Sequence, residues 1–308
     1  MMKTYNVLVL LSAYNGEKYI KEQIDSIENQ KGINVTIYIR DDGSTDQTIK
    51  IIESIANAYK NIKYIKGHNK GFIGSFSELI NYAYSSSVSY DYYAFSDQDD
   101  IWYLDKLLVS CRALDTLDKN RPNLFCCNSD LIDNNRNKIG IFKTNKPHIT
   151  RGNALYYGSF QGCSMLFNVK ALELYQENPP KTVYHDKWMY LICFYLGNVK
   201  IDLTPKFAYR IHGHNVIGVK TAKNSLVTDF KKLVNHNDSH NQDDIQIFYK
   251  TFYNQISNDD KKLFKIYLNY KHNCLSKLKI IGSKSFGGKY CSFRECVNHV
   301  LRVAFNRI

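Results

Sequence analysis

The sequence predicts an α/β protein: a mostly parallel sheet with flanking helices, followed by a C-terminal helical extension. Three observations carry this expectation. In the first half, apolar runs of strand length alternate with stretches of helical period, the pattern of parallel strands joined by crossover helices. Polar or acidic runs follow three of the strand-like segments. The charge then shifts along the chain: residues 220–308 hold sixteen Lys and Arg against seven Asp and Glu, so +9 of the formal net charge of +12 lies there.

The elements follow in order. Residues 5–11 read as a buried strand, because Val7 to Leu11 is an unbroken apolar run. Residues 17–30 read as a helix with Ile20, Ile24 and Ile27 on one face. Residues 35–39 form a second strand and 46–59 a second helix, with Ile49, Ile52 and Ile55 facing inward; residues 62–65 form a third strand. Residues 71–85 are helical by the spacing of Phe72, Phe76, Leu79, Ile80 and Ala83, and Tyr92 to Phe95 is a fourth strand that breaks into Asp97-Gln98-Asp99-Asp100. Residues 104–117 are helical and 124–127 short and extended. Residues 130–157, rich in Asn and Lys, read as a long polar connection. An apolar stretch over 158–167, a buried helix over 186–196 and a strand over 199–202 complete the first domain, 1–219, and the basic, mainly helical extension occupies 220–308.

Composition bounds the function. A chain of 308 residues, 44% hydrophobic and 14% aromatic with 5 Pro, is globular and neither disordered nor collagen-like. The five apolar residues near the start are too few for a secretory leader, and no run approaches the ~18 to 20 residues that span a bilayer. Eight cysteines without a CxxC pair are too sparse for a disulfide framework or a structural zinc site, and read as reduced thiols of a cytoplasmic protein. Neither a Walker A run nor a GxGxxG run occurs, which argues against a P-loop ATPase or a nicotinamide enzyme.

The acidic runs carry the chemistry. Asp41-Asp42 follows the second strand, Asp97-x-Asp99-Asp100 the fourth, and Asp186 opens a later helix. Strand ends of such sheets converge on one crevice. Clustered carboxylates repel one another and need a cation or solvent to stay ionised, and hard oxygen ligands suit Mg²⁺ or Mn²⁺ shared with phosphates. Taken alone, Asp-x-Asp is as well read as a solvated turn capping the next helix.

It does not stand alone. Ser12-Ala13-Tyr14-Asn15-Gly16, Asp41-Asp42-Gly43-Ser44-Thr45-Asp46 and Ser96-Asp97-Gln98-Asp99-Asp100-Ile101-Trp102 follow the first, second and fourth strands in register. Asn69-x-Gly71 lies between the second and third of these, and Gly162-Cys163-Ser164, His185-Asp186-x-Trp188 and Tyr209-Arg210-x-His212-x-x-Asn215 come after them. With these motifs, residues 5–219 resemble the family 2 glycosyltransferases of the GT-A fold, and among them the bacterial rhamnosyltransferase-like branch that builds capsule and O-antigen.

The resemblance implies a metal-dependent, inverting transfer of a hexose or deoxyhexose from a UDP- or dTDP-sugar to a hydroxyl of a lipid-linked glycan. It implies that Ala13, Tyr14 and Asn15 hold the nucleotide, that Asp41 or Asp42 accepts a hydrogen bond from the base, and that Asn69, Gly71, Asp97 and Arg210 line the donor. It also implies Asp99 as ligand of Mn²⁺ or Mg²⁺, with Asp97 and His212 as further metal contacts, and Asp186 as the catalytic base. Where many relatives carry Glu-Asp this chain has His185-Asp186, and a protonated His185 would favour the ionised carboxylate. Asp186 also suits a helix N-cap, Arg210 a surface ion pair, and His212 a purely structural role.

The extension interleaves Lys and Arg with Phe264, Ile266, Tyr267, Leu268, Val297, Val300, Leu301, Val303 and Phe305. Basic amphipathic helices of this type either pack on the catalytic domain or lie peripherally on the anionic inner face of the plasma membrane. Two other classes share part of this pattern: a sugar-nucleotide nucleotidyltransferase, for which the first strand lacks the Gly-rich, Arg-Lys signature, and a basic nucleic-acid-binding protein. Against the latter, the basic excess lies away from the acidic strand ends and no nucleic-acid motif occurs, so no nucleic-acid partner is expected.

Overall fold

The computed structural model describes residues 3–142, 149–156, 160–212, 239–287, 293–306 and 308. Asn215 of the last motif lies outside them. By its contacts the chain divides into two compact units, Met1–Thr144 with Phe160–Val219, and Asn145–Ser159 with Lys220–Ile308.

The first unit begins with β1 (Tyr5–Ala13), α1 (Ile20–Glu28), β2 (Ile33–Asp41), α2 (Thr48–Ala58), β3 (Ile62–Lys66), α3 (Gly71–Ser85) and β4 (Tyr92–Ser96). β3, β2, β1 and β4 lie side by side and are all parallel. β1 is central and buried on both faces, which is why its apolar run does not alternate. Ile20, Ile24 and Ile27 of α1 and Ile52 of α2 are fully buried against the sheet, as their helical spacing anticipates.

The rest of this unit is β5 (Ile101–Trp102), α4 (Lys106–Leu114), β6 (Asn123–Ile132), β7 (Lys138–Ile141), β8 (Met165–Phe167), α5 (Val169–Glu177), α6 (His185–Leu196) and β9 (Asn198–Arg210). The sheet order continues β4-β8-β6-β9-β5, with β7 paired to β6. Here the pairing is mixed: β6 and β9 are parallel, while β8 runs antiparallel to both β4 and β6. The sheet is thus parallel in its first half and mixed in its second.

Two segments differ from the sequence reading. The connection expected from residue 130 is partly strand, since β6 runs on to Ile132 and pairs with β7. Its polar residues are satisfied inside the ladder: the Asp130 carboxylate accepts from the Tyr103 hydroxyl at 2.6 Å and pairs with Lys138 at 2.7 Å. β9 is thirteen residues long rather than four, and register shifts around Asn128 keep it against β6 as far as Arg210. Its last four residues, Phe207 to Arg210, are buried.

The second unit contains α7 (Ser239–Thr251), α8 (Asn258–Asn269), α9 (Cys274–Gly282), α10 (Lys284–Gly287) and α11 (Phe293–Ala304). Residues 149–156 belong with it and not with the first domain. Gly152 N–H donates to the Ser285 carbonyl at 2.9 Å, the Tyr156 hydroxyl to the Phe286 carbonyl at 2.8 Å, and Arg151 pairs with the buried Asp260. Much of the apolar content of the extension serves this unit's own core: Phe264, Tyr267, Tyr270 and Val303 are fully buried, and the hydroxyls of both tyrosines donate to the Ile308 carbonyl.

Candidate active site

The loops after β1, β2 and β4 are tied together at the carboxyl ends of their strands. The Gln98 carboxamide accepts from Tyr14 N–H at 2.8 Å and donates to the Tyr14 carbonyl at 2.9 Å. Asn15 sits at φ +48°, a conformation Asn tolerates; its N–H donates to Ser44 Oγ at 3.0 Å and its side-chain oxygen accepts Thr45 N–H at 2.8 Å. Asp42 N–H donates to the Ala13 carbonyl at 2.8 Å. The Tyr14 ring is left 45% exposed, a flat face at the rim of the crevice.

Gly16 is required by the Gln98 clamp, because a Cβ there would run into the Gln98 carboxamide. Gly16→Ala is therefore expected to break the clamp at little cost to folding, about 1 kcal/mol for two exposed hydrogen bonds. Nucleotide affinity should fall with the melting temperature nearly unchanged, which calorimetric titration and thermal unfolding together would check.

The structure separates the two aspartates after β2. Asp42 pairs with the buried Arg40 and accepts Lys70 N–H at 2.9 Å, while Arg40 also donates to the His68 carbonyl at 3.0 Å. Asp41 accepts Ser44 N–H at 3.1 Å through Oδ2 and leaves Oδ1 without a partner. Asp42 is thus committed to holding the 67–70 turn. Asn69, in that turn, accepts Gly71 N–H at 3.0 Å, and Gly71 enters α3 at φ +69°. Removing Asp42 leaves the buried Arg40 with only the His68 carbonyl and the Glu78 carboxylate at 3.8 Å, so Asp42→Ala should cost about 3 kcal/mol in urea unfolding. Asp41→Asn should leave stability nearly unchanged and weaken nucleotide binding.

The loop after β4 brings three acids towards α6. Asp99 Oδ2 lies 2.7 Å from His212 Nε2, and the His212 ring stacks on Tyr19 with centroids 5.3 Å apart. Burial, followed by the charges of Asp99 and Asp186, pushes the Asp97 carboxyl up to about 7. Burial and the charges of Asp99 and Asp97 likewise raise Asp100 well above the usual carboxylate range. Oxygens of Asp97 and Asp100 and the Cys163 sulfur lie within 4.8 Å of one another.

Such mutual repulsion is what a divalent cation relieves. Asp99 and His212 offer such an ion a carboxylate and an imidazole already in contact, their side chains 15% and 11% exposed, while the Asp97 oxygen converges with Asp100 and Cys163.

Asp186 stands in the first turn of α6, where its Oδ1 accepts Lys187 N–H at 2.7 Å. Burial raises its carboxyl to about 6, the neighbouring backbone N–H groups opposing the rise. A close backbone approach packs against this turn: a Cβ on Gly162 would lie 2.5 Å from His185 Nε2 and 3.4 Å from the Asp186 Cβ. The Gly162-Cys163-Ser164 motif thus serves both ends of the site, its glycine under α6 and its cysteine beside Asp97 and Asp100.

Two expectations are corrected. Arg210 does not present its guanidinium to a diphosphate. It is buried, donates to the Asp99 carbonyl at 3.0 Å and to Glu22 at 2.7 Å, and lies over the Tyr19 ring. β9 carries it beneath the acidic loop, where it holds the Asp99 backbone. His185 cannot favour an ionised Asp186 by its own charge. It stacks on Phe76 with centroids 3.7 Å apart and meets Phe95 edge to face, and burial drives it down to about 3, so it is neutral.

The sequence reading missed Arg40, Gln98 as the clamp, and Gly162 as the packing glycine under α6. Gln98 sits inside a quoted motif, so its place between two acids was its only local signal.

A parallel sheet half with acidic loops at its strand ends, joined to a mixed half, is the architecture of the GT-A glycosyltransferase fold. The chain belongs to the family: residues 8–175 match the model for "Glycosyl transferase family 2". It is 29% identical over 238 residues to the dTDP-rhamnosyl transferase RfbG of Shigella flexneri, covering 72% of this chain and 78% of that one. It is 25% identical over 264 residues to an uncharacterized glycosyltransferase of Rickettsia conorii, covering 82% of this chain but only 39% of the relative.

Among solved structures, S. aureus TarS 1-349 in complex with UDP aligns with a TM-score of 0.53 at 15% identity, over 97% of this chain and 90% of that one. The mannosyltransferase PcManGT of Pyrobaculum calidifontis, in complex with GDP-Man and Mn²⁺, aligns with a TM-score of 0.53 at 14% identity, over 98% and 88%. The protein is a family 2 glycosyltransferase with the fold of these enzymes.

Proposed function

We propose that the chain catalyses metal-dependent, inverting transfer of a hexose or deoxyhexose from a UDP- or dTDP-sugar to a hydroxyl of a lipid-linked glycan during bacterial surface polysaccharide synthesis. The observation that carries this is the contact of Asp99 with His212 beside Asp97, whose carboxyl feels the charges of both Asp99 and Asp186. The rhamnosyl transferase relative, described as using dTDP, supports a pyrimidine donor and a deoxyhexose.

The base and ribose would lie across Tyr14, Asn15 and Asp41, with the unpaired Asp41 Oδ1 accepting the base N–H. Asp99, with His212 and Asp97, would hold Mn²⁺ or Mg²⁺. That ion supplies Lewis-acid stabilisation of the charge developing on the departing diphosphate. Arg210 and Gln98 fix the Asp99 backbone and the Tyr14 loop so that these groups face one another. Asp186 would take the proton of the acceptor hydroxyl while the hydroxyl oxygen forms the new bond to the anomeric carbon and the bond from that carbon to the diphosphate oxygen breaks. No second carboxylate nucleophile is needed, since one displacement inverts the anomeric centre.

Thermal unfolding with Mn²⁺ or Mg²⁺ and a panel of UDP-, dTDP-, GDP- and CMP-sugars tests the reading. Ligands that bind the native state raise the melting temperature by mass action. A metal-dependent rise with one pyrimidine donor is expected. A rise with none, together with tight binding to nucleic acid, would overturn it.

A further inference from the structure

We propose that α9 and the lysine-rich surface around it form a docking face for an anionic lipid bilayer. The inference rests, for its purpose, on the reading of the acceptor as a membrane-anchored glycan; its location comes from the residues themselves.

α9 turns two faces in opposite directions. Ser276 and Ile280, four residues apart, are buried, and the helix is capped by the Asn273 side chain accepting Ser276 N–H at 3.1 Å. On the other face Leu275 and Leu278 are 68% and 64% exposed. Three residues apart, they stand side by side, with the exposed Cys274 and Lys279 on their flanks. The Lys277 ammonium reaches the Ala304 carbonyl at 3.3 Å, which brings the end of α11 and the half-exposed Phe305 alongside. Two adjacent leucines turned outward on a short helix cost free energy in water, whereas the rest of this unit's large apolar side chains are mostly spent on its core.

The charge along this stretch of the chain has one sign. From Lys261 to Ile308 the sequence holds eleven Lys and Arg and a single acid, Glu295. Lys271, Lys277, Lys279 and Lys284 flank the leucine pair along the chain, with no acidic residue between 261 and 294. A bare basic patch would fit nucleic acid or a soluble polyanion equally well. Leucines set within it favour a bilayer, whose headgroups neutralise the lysines while the leucines enter the acyl boundary. Among the described residues no helix is long and apolar enough to cross a membrane, so the contact would be with the surface.

Co-sedimentation of the full chain with phosphatidylcholine vesicles, with and without about a third phosphatidylglycerol, provides the test. The wild type should bind only the anionic vesicles and leave them in high salt. Leu275→Glu with Leu278→Glu should lower partitioning at least tenfold, as should Lys279→Glu with Lys284→Glu. Unchanged melting temperatures and unchanged transfer to a lipid-free acceptor would show that both variants fold. Equal binding by the leucine variant, or binding to single-stranded DNA that exceeds binding to anionic vesicles, would overturn the docking face. Vesicle binding with equal transfer to soluble and lipid-linked acceptors would retain the face and overturn the lipid-linked acceptor. Transfer that requires a lipid-linked acceptor without vesicle binding would do the reverse.

Discussion

Asp186→Asn is expected to lower transfer by about two to four orders of magnitude while donor affinity stays within a few fold, because the amide keeps the shape and the helix position but cannot accept the proton. The same carboxyl sets the pH dependence. Burial raises its pKa to about 6, and it acts as a base only when ionised, so activity should be full above that value and fall about tenfold per unit below it. In the Asn variant the residual activity should lose this acidic limb. Initial rates with saturating Mn²⁺ from pH 5 to 8, alongside donor titration by calorimetry, provide the measurement. A collapse of donor affinity with transfer retained would remove Asp186 from the role of base.

Asp99→Ala is expected to abolish the metal dependence of donor binding and to lower turnover at least about a hundredfold, the scale of a Lewis-acid contribution of several kcal/mol. His212→Asn should do less. On the proposed assignment it removes one ligand and leaves the carboxylates of Asp97 and Asp99 in place, so higher Mn²⁺ should restore much of its activity. Chelation of the wild type should reproduce the Asp99→Ala phenotype, and re-addition of Mn²⁺ should reverse it only in the wild type. Metal titrations followed by thermal shift of the three proteins would show this ordering. An Asp99→Ala protein whose donor binding still depends on metal would place the ion elsewhere, with Asp97, Asp100 and Cys163 the next donors to examine.

The fold was legible wherever the signal was local. The helical spacing of Ile20, Ile24 and Ile27 and the apolar run Val7 to Leu11 identified elements whose cores lie where that spacing places them. The sequence pattern marks only four residues of β9 because its later part, Leu203 to Lys206, is polar or only half-buried, and it stops short in β6 because Asn128 and Asp130 look like loop residues. Both strands persist because distant partners satisfy those side chains: Leu203 O accepts from Asn128, and Tyr103 donates to Asp130. Leu275 and Leu278 were invisible for the opposite reason. Nothing in a helical run of leucines and lysines states which face its neighbours will cover.

From sequence alone came the alternation of strands and helices, the acidic and polar runs at strand ends, and the concentration of basic charge after residue 219, all set by residue type and spacing within a few turns of chain. Which side chains share a partner was decided only by the tertiary structure. Asp42 rather than Asp41 is spent on Arg40 and the 67–70 turn; Arg210 reaches Glu22 across 188 residues and supports Asp99 from beneath; His212 meets Asp99 across 113. His185 is kept neutral by phenylalanines from α3 and β4. A charge or hydrogen bond acts over a few ångströms of space, and that space is filled by segments far apart in the chain, so the role of each ionisable residue became definite only when the sheet brought its neighbours together.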